Sequence, residues 1–382
     1  MLSFEVLQFI WWVLVIVLLS GFIIIDGFDL GALALNPVIA KTEEERRIVI
    51  NTIAPHWDGN QVWLLLGGGA IFAAWPEVYA TSFSGFYLGM VLILFALFFR
   101  PVGLEYRHKF ELEKHRRAVD WSLAWSGFAP ALVTGVALGN VLLGVPFEFD
   151  SIGRSFYGPG TLWILNLLKL LNPFGLLVGL LCLCVVLTQG ANWVALRTDR
   201  TSELYARATK AGSVFSLAVF VLAVVTAIAL AFISGYHLDK NMLILDATTD
   251  AVSRTSSWYA NYTANPVLFV FPVLALVMYL ASARSAKNGR NAFAFITSSC
   301  GVLLLFVTYA ITLFPFILPS SIAPHQSLTI FNATSSQLTL NVMFWVAIVV
   351  VPIVLIYTVW AYYKMWTRLS TKTVTENTHA LY

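Results

Sequence analysis

Charged side chains are scarce in this sequence of 382 residues: Asp, Glu, Lys and Arg together make up 11% of it, whereas hydrophobic residues make up 59%. Soluble domains carry about 25% charged residues. A chain so poor in charge cannot cover a water-facing surface with polar groups, so we expect lipid to be its main solvent. The formal net charge of +3 is also too small to indicate a nucleic-acid-binding protein.

Cysteine is rare as well, and its three copies, Cys182, Cys184 and Cys300, all lie in apolar runs. An odd number cannot pair completely, and Cys182 and Cys184 are too close in sequence for an ordinary metal clip. We therefore predict no disulfide framework. The cysteines are interpreted as small apolar side chains within helices.

Histidine is missing from the middle of the long apolar runs. The six histidines are His56, His108, His115, His237, His325 and His379. A haem in a helical membrane protein normally needs a histidine or methionine ligand that projects from a helix. Three methionines lie in apolar runs, without a companion histidine: Met90, Met278 and Met343. The sequence also has no CxxC pair and no glycine-rich nucleotide loop. This chain alone is therefore expected to ligate neither a haem nor a metal ion.

Long apolar runs are what the sequence has in abundance. A spanning helix needs about 20 mostly apolar residues, and nine stretches meet that requirement: 8–29, 58–76, 79–99, 121–144, 172–196, 212–234, 265–283, 292–317 and 340–363. The sequence therefore predicts an all-α integral membrane protein with a single polytopic domain over residues 1–382. Nine helices fit two four-helix bundles plus one extra helix, although no clear internal repeat supports that division.

The distribution of basic residues predicts the orientation of the chain. Cytoplasmic loops of membrane proteins are enriched in Lys and Arg. With the N-terminus outside, the cytoplasmic segments hold all of the 23 Lys and Arg except Arg154, Lys169, Lys240 and Arg254. We therefore predict a periplasmic N-terminus and a cytoplasmic C-terminus.

Six ionisable side chains are predicted to lie at one level, the cytoplasmic ends of the first four spans. Asp26 and Asp29 end the first span with an i, i+3 spacing that places both carboxylates on one helical face. The other four are His56, Asp58, Arg100 and Asp120. These groups could form a buried network that passes protons inward from the cytoplasm. Alternatively, they could be anchors at helix ends, with Asp58 complementing a helix N-terminus. The pattern leaves both interpretations open.

The sequence resembles subunit II of cytochrome bd quinol oxidases. Motifs that carry the resemblance occur in order along nearly the whole chain: DGFDLGA (26–32), APHWDGNQVWL (54–64), GGGAIFAAWP (67–76), FFRPVG (98–103), LNPFGLL (171–177), LTQGA (187–191), FPFILPSS (314–321), TSSQLTLNVM (334–343) and ENTHALY (376–382). Motifs of this length are far more specific than short patterns.

The resemblance implies a terminal oxidase complex of the bacterial inner membrane that oxidises quinol, reduces O₂ to water and takes protons from the cytoplasm. In this family, subunit I carries two b haems, haem d and the quinol-oxidising loop, whereas subunit II carries no haem ligand. The implied fold has two four-helix bundles and one peripheral helix. The expected partners are subunit I and membrane lipids, and this chain alone is expected to be inactive. The resemblance also allows for small accessory subunits and for a quinone bound in this subunit.

The resemblance also implies roles for individual residues. Asp29, Arg100 and Asp120 match polar residues tied to assembly and activity. The region of Asp26, His56 and Asp58 matches a proton path, and Trp63 matches the entrance of an apolar oxygen path.

Two other classes of protein also fit parts of this sequence pattern. A secondary transporter could use the broken helix indicated by residues 313–321, but it commonly places ionisable groups near the bilayer midplane, where this sequence has none. If the chain were a purely structural subunit, neutralising the charged residues would impair assembly of the complex but never its proton-coupled turnover.

Overall fold

The computed structural model of the chain describes residues 2–157, 168–238, 252–255 and 257–376. The segments 145–165 and 235–264, which connect predicted spans, lie partly outside the described residues, and so does most of the ENTHALY motif. The α-helices are α1 (Phe4–Ile39), α2 (Glu43–Ile53), α3 (Trp57–Ala74), α4 (Pro76–Gly85), α5 (Tyr87–Tyr106), α6 (Glu113–Leu143), α7 (Pro173–Arg197), α8 (Glu203–Leu230), α9 (Ala260–Ala264), α10 (Val270–Lys287), α11 (Asn291–Leu313), α12 (Gln337–Lys364) and α13 (Thr371–Glu376).

The described residues also form six short strands. They pair as three antiparallel two-stranded sheets: β1 (Glu148–Phe149) with β2 (Ser155–Phe156), β3 (Gly235–Leu238) with β4 (Val252–Thr255), and β5 (Phe316–Leu318) with β6 (Leu328–Thr329). Short helices of 3₁₀ type occupy Arg107–Lys109, Pro266–Phe269 and Pro324–Gln326. The chain is therefore mostly helical, as the sequence predicted.

Eight described helices are long and apolar enough to cross a membrane, and the number is up to nine when the bent pair α3 and α4 is counted as one span. The pair is bent by 120°. The bend falls at Trp75, directly before Pro76 at the first position of α4. Proline favours a helix start because it lacks an N–H group and its φ is fixed. Trp75 is itself buried and donates to the carbonyl of Ile330, which fixes the corner against the segment that follows β6.

Several helix boundaries differ from those predicted by hydrophobicity. The segment 79–99 is divided between α4 and α5, since α4 ends at Gly85 and α5 begins at Tyr87. The segment 292–317 ends as a helix at Leu313, and the chain then forms β5. Apolar residues continue across both breaks, so hydropathy alone did not reveal where the backbone changes direction.

Close backbone approach fixes α1 between α6 and α7. A Cβ atom added to Gly31 would lie 2.0 Å from the carbonyl oxygen of Val186 in α7, and one added to Gly127 in α6 would lie 2.0 Å from the carbonyl oxygen of Leu30. Small residues allow such contacts between membrane helices. Because α6 and α7 occupy these sides of α1, the face that carries Asp26 and Asp29 is left for α3 and α5.

The short helix α2 has a charged face and a buried apolar face. It begins with a capping box in which Thr42 and Glu45 satisfy each other's backbone N–H groups. Its buried residues include Ile48, Val49 and Ile50. The helix therefore packs against the end of the bundle where α1 stops, and it presents its acidic and basic residues around that end.

Candidate functional site

The central feature of the site is Arg100, which joins both aspartates of α1. Its Nη2 lies 2.7 Å from Oδ1 of Asp26 and 3.2 Å from Oδ2 of Asp29. The three side chains are at most 1% exposed. The i, i+3 spacing places both carboxylates on the face of α1 that is directed at α5. Arg100 extends toward them from the last turns of α5. Two carboxylates thus share one guanidinium in an interior closed to solvent.

Two further residues extend this group toward the last span. Asn60 in α3 donates from Nδ2 to Asp29 Oδ2 at 2.7 Å, and it accepts a 2.6 Å hydrogen bond from the hydroxyl of Tyr362 in α12. Arg100 also lies over the ring of Trp57, 5.4 Å from its centre. We call Asp26, Asp29, Asn60, Arg100 and Tyr362 the buried polar cluster. It joins α1, α3, α5 and α12.

His56 lies beside the buried polar cluster. It is the residue before α3 and is 5% exposed. Its imidazole stacks on the ring of Tyr362, with ring centres 4.1 Å apart. Burial, together with the positive charge of Arg197, lowers the pKa of His56 to about 4. The ring is therefore neutral near neutral pH, when it can accept a proton at one nitrogen and donate from the other.

Arg197, at the end of α7, is held by aromatic rings rather than by a carboxylate. Its guanidinium lies 5.5 Å from the ring centre of Trp193 and 5.1 Å from that of Trp366, and Nη2 donates to the carbonyl oxygen of Met365. These contacts tie the end of α12 to α7. They also place an unneutralised positive charge near His56, which explains part of the low pKa.

Several polar atoms in this region are buried without a hydrogen-bond partner in the part of the chain that the structure describes. They are Asp29 Oδ1, His56 Nε2, Nε and Nη1 of Arg100, Nε and Nη1 of Arg197, and both amide atoms of Asn36. Leaving one buried amide or hydroxyl unpaired costs roughly 2–7 kcal/mol on transfer scales, so native structures rarely leave such groups unpaired. These unpaired atoms indicate a polar interior that can accept further hydrogen-bonding groups.

Asp58 does not belong to the buried polar cluster. It lies in the first turn of α3 but is exposed on the surface of the chain. The sequence had placed it at the same level as the other ionisable groups, and only the packing of α3 shows that its side chain points outward. Trp63, five residues later, is 8% exposed and packs against Gly21 of α1.

Asp120 belongs to a separate ion-pair group with Arg107. The Nε of Arg107 lies 2.5 Å from Asp120 Oδ1, and its Nη1 and Nη2 donate to both carboxylate oxygens of Glu43 at 2.8 and 2.9 Å. Arg46 lies 3.8 Å from Asp120. Burial alone would raise the pKa of Glu43, but the hydrogen bonds and charge of Arg107, with Arg116 and Arg46, lower it. This group locks α2 onto α5 and α6.

An apolar cleft of about 300 Å³ lies between α6, α7, α8, α10 and α11. Its wall is mainly aliphatic. The polar side chains in the wall include Thr226, whose hydroxyl has no partner among the described residues, and Tyr309, which donates to the carbonyl oxygen of Leu138. Such a cleft suits a long apolar molecule with a small polar group.

No group of three or more His, Cys, Asp and Glu side chains converges in the part of the chain that the structure describes. Among the described histidines only His56 is buried, and one face of its ring is covered by Tyr362. The lining of the apolar cleft contains no histidine or methionine.

Sequence reasoning missed several members of the site. Tyr362, Asn60 and Arg197 lie far apart in the chain. Aromatic or amide side chains near helix ends are also common in membrane proteins, so these residues did not stand out. Among these three residues, only Asn60 had a sequence signal, because it lies within the APHWDGNQVWL motif. Arg107 and Glu43 appeared in the sequence as two more charges in cytoplasmic segments.

Comparison with known proteins identifies the family. The profile of the family "Cytochrome bd terminal oxidase subunit II" matches residues 7–365. The chain is 47% identical over 393 residues to "Probable cytochrome oxidase subunit 2" of Haemophilus influenzae and 46% identical over 387 residues to "Cytochrome bd-I ubiquinol oxidase subunit 2" of Escherichia coli K12, with 100% of each chain covered. It is also 31% identical to "Cytochrome bd ubiquinol oxidase subunit 2" of Bacillus subtilis, over 95% of this chain and 97% of the relative.

The fold agrees with a solved structure of the same kind of complex. A chain of the bd oxidase from Geobacillus thermodenitrificans matches with a TM-score of 0.59 and 14% identity, over 94% of this chain and 96% of that one. Identity this low shows the fold alone. With the family profile and the full-length relatives, the chain belongs to the cytochrome bd terminal oxidase subunit II family, and it is a multi-pass inner-membrane protein and one subunit of a haem-containing terminal oxidase complex.

Proposed function

We propose that this chain is the subunit of a quinol oxidase that ligates no haem, and that it stabilises subunit I, carries part of the proton path and shapes the oxygen path. Quinol as the electron donor is supported by the names of the Escherichia coli and Bacillus subtilis relatives. The complex reduces O₂ to water, and the chain is inactive without its partner. The haems, when bound in subunit I, supply the electron transfer and oxygen chemistry.

The proposed topology has nine spans, with α3 and α4 counted as one, a periplasmic N-terminus and a cytoplasmic C-terminus. The basic residues favour this orientation. We further propose two four-helix bundles, α1, α3/α4, α5 and α6 in one and α7, α8, α10 and α11 in the other. The contacts of α5 with α6 and of α10 with α11 support the grouping. Helix α12, whose apolar window is not buried by this chain, is the proposed peripheral helix.

The buried polar cluster is proposed to hold a proton on its way from the cytoplasm. Two carboxylates face one guanidinium, so a single shared proton balances the charge of the group. Asp26 and Asp29 are the groups that take up and release this proton, and Arg100 fixes their positions. Asn60 orients Asp29 by its 2.7 Å hydrogen bond. The observation that carries this proposal is the full burial of Asp26, Asp29 and Arg100. Burying charged groups in a membrane protein is costly, so their presence favours a functional role.

Asp58 is proposed to connect the cluster with subunit I. Its carboxylate is exposed on this chain and lies near enough to Arg100 for their charges to interact, which favours a place at the contact between the cluster and the partner. We expect Asp58→Asn to slow quinol oxidase turnover while haem content stays near normal. Glu113→Gln removes another exposed carboxylate at the same end of the bundle and serves as the control. Normal turnover of Asp58→Asn would remove Asp58 from the path, and loss of all haem would show that it is structural.

His56 and Asp120 have different proposed roles. His56, neutral and in contact with Tyr362, relays protons toward the cluster. Asp120, with Arg107 and Glu43, supports assembly by fixing α2 against α5 and α6.

Trp63 is proposed to border an apolar path for O₂. Its ring extends from α3 and packs against Gly21 of α1. Dioxygen is apolar, so a path for it needs no polar lining. Replacing the ring by a smaller one in Trp63→Phe should change the apparent KM for O₂ more than kcat. Equal changes in both, or neither, would place Trp63 outside the path.

The apolar cleft is the proposed location of a bound quinone. Its volume and aliphatic wall suit an isoprenoid tail, and the unpartnered hydroxyl of Thr226 can donate to a quinone carbonyl. Val273→Trp would fill the cleft from α10. We expect less quinone to co-extract with the purified complex of that variant, whereas an unchanged amount would place the quinone elsewhere.

The proposal that this chain ligates no haem is tested by reduced-minus-oxidised visible spectra. The tagged chain is purified gently in detergent, once alone and once with its partner. We expect haem b and haem d bands only when the partner is present. Haem bands from the chain alone would overturn the proposal.

A further inference from the structure

Asn36 is a buried amide with no hydrogen-bond partner among the residues that the structure describes. Its side chain is 0% exposed, and neither Nδ2 nor Oδ1 meets a protein acceptor or donor. Subunit I cannot supply the partner either, since this chain alone already encloses the side chain. The group that pairs with Asn36 must therefore be small enough to fit inside the chain.

The position of Asn36 relates it to the buried polar cluster. It lies in α1 seven residues beyond Asp29, which is about two helical turns and roughly 10 Å along the axis. Seven residues bring both side chains to nearly the same face of the helix. Asn36 therefore stands between the end of α1, where α2 begins with its charged residues, and the carboxylates of the cluster.

Two other unpaired atoms point to the same small ligand. The buried Nε2 of His56 and the Oδ1 of Asp29 also lack partners. His56 precedes α3 by one residue, and its backbone oxygen accepts from the N–H of Asn60, whose side chain bonds Asp29. His56 therefore lies one turn of α3 away from the contact with Asp29. The unpaired atoms offer both donors and acceptors at successive depths, which a single cation or anion would not match.

We propose that Asn36 and His56 bind buried water molecules that continue the proton path from the end of α1 to Asp29. A buried water typically makes about three hydrogen bonds to otherwise unpaired polar groups, and a primary amide provides two donors and an acceptor oxygen. Asn36 does not titrate, so it acts as a positioning residue: it holds water, and the water passes the proton. The binding of water rests on the unpaired atoms alone, whereas its part in proton transfer rests on the proposed function.

The water site is tested directly by a high-resolution cryo-EM map of the intact oxidase complex. We expect ordered water density at about 3 Å from the amide atoms of Asn36 and from Nε2 of His56. An Asn36 side chain that bonds only protein groups, with no water beside it, would overturn the proposal whatever the function of the cluster.

The role in proton transfer is tested with substitutions of Asn36 in the complete complex. Asn36→Leu removes both hydrogen-bonding atoms at similar volume, and Asn36→Ser keeps a hydroxyl and leaves room for water. We expect Asn36→Leu to lower turnover roughly tenfold and to raise the solvent isotope effect of turnover in D₂O, because proton delivery becomes limiting, and Asn36→Ser to recover part of both. Asn36→Ser also keeps the test possible if Asn36→Leu does not assemble.

A matched control separates water binding from the general cost of losing a buried amide. Asn192 in α7 is 1% exposed, but its Nδ2 has protein partners in Ser282, Ser298 and the carbonyl oxygen of Ala294. Asn192→Leu should lower the yield of complex without changing the isotope effect. If Asp29→Asn alters the isotope effect and neither Asn36 variant does, the positioning role is wrong and the proposed function stands. If Asn36→Leu and Asp29→Asn both leave it unchanged, the proton path through the cluster is wrong as well.

Discussion

Tyr362 and Asn60 are joined by a 2.6 Å hydrogen bond although 302 residues separate them in the chain. Through this bond the last turn of α12, a helix that is otherwise exposed along its apolar length, reaches the hydrogen bond between Asn60 and Asp29. The hydroxyl of Tyr362 fixes the side-chain oxygen of Asn60, so that the Nδ2 of Asn60 is directed at the carboxylate. The same ring also covers His56.

The first prediction concerns the hydroxyl of Tyr362. Tyr362→Phe keeps the stack on His56 but removes the donor to Asn60, and a hydrogen bond of this kind contributes about 1 kcal/mol to stability. We expect a slightly less stable complex, a normal haem content and a several-fold fall in turnover, because Asp29 loses its fixed orientation. Tyr357→Phe is the control, since Tyr357 lies on the exposed side of α12. Equal turnover of both variants would show that this bond has no functional role.

The second prediction follows from the low pKa of His56. Burial and Arg197 lower it to about 4 in the folded protein, whereas an unfolded histidine has a pKa of about 6.5. As the pH falls from about 6.5 to about 4, the unfolded chain takes up a proton that the folded chain does not, so stability falls in that window and is fully present above it. The thermal unfolding midpoint of the complex should therefore decrease on acidification.

His56→Phe isolates this contribution because it keeps a ring against Tyr362 and removes the titrating group. Between about pH 7 and about pH 5 the unaltered complex should lose more thermal stability than the variant complex. An equal loss in both would mean that His56 is protonated in the folded protein at the lower pH.

A third prediction tests the ion-pair group that holds α2. Arg107→Gln leaves the carboxylate of Asp120, 2% exposed, without its main partner. Breaking a buried pair in this way costs roughly 3–5 kcal/mol, less here to the extent that Glu43 remains partly exposed. We expect a lower yield of the complex with subunit I, with turnover per haem little changed in the complex that forms.

Arg117→Gln provides the comparison for this variant. The ion pair of Arg117 with Glu113 is exposed on both sides, and such helical pairs contribute about 0.3–0.5 kcal/mol. Its yield should match that of the unaltered complex. An unchanged yield for Arg107→Gln would contradict the assembly role of Asp120 and Arg107.

The fourth prediction concerns the crossing of α1 and α7. In Gly31→Ala the new Cβ would lie 2.0 Å from the carbonyl oxygen of Val186, so the helices must separate. Overpacking of a tight interior typically costs about 1–3 kcal/mol, and we expect less folded protein in the membrane. Gly27→Ala, one turn earlier, meets its nearest atom at an ordinary 3.5 Å and should accumulate normally. Equal accumulation of both would show that α1 and α7 do not approach as closely as described.

The helical class of the fold and the position of Asp26 and Asp29 on one face of α1 could be predicted from the sequence, because each depends on a local pattern. Apolar runs reveal spans, and an i, i+3 spacing defines one face of a helix. The outward direction of Asp58 and the pairing of Asp120 with Arg107 could not be predicted in this way. Both depend on how α3 and α6 are rotated about their axes, which packing against other helices determines.

The same limit explains the bend between α3 and α4 and the place of Tyr362 in the site. The sequence predicted that the second apolar stretch ends at Pro76, but the 120° bend there and the contact of Trp75 with Ile330 became visible only in the structure. Tyr362 is one of many aromatic residues near helix ends, and it becomes distinctive only when α12 packs beside α1 and α3. Packing between segments that are distant in sequence, rather than local propensity, determined each of these features.

The central claim is that the buried carboxylates beside Arg100 carry protons, and it is tested most directly by the solvent isotope effect on turnover in the Asp29→Asn complex, measured in H₂O and D₂O after haem content has been checked. This substitution keeps the shape of the side chain and removes its ability to exchange a proton. We predict normal haem spectra, turnover lowered roughly 100-fold and a larger isotope effect. Normal haem content with unchanged turnover and an unchanged isotope effect would contradict the account.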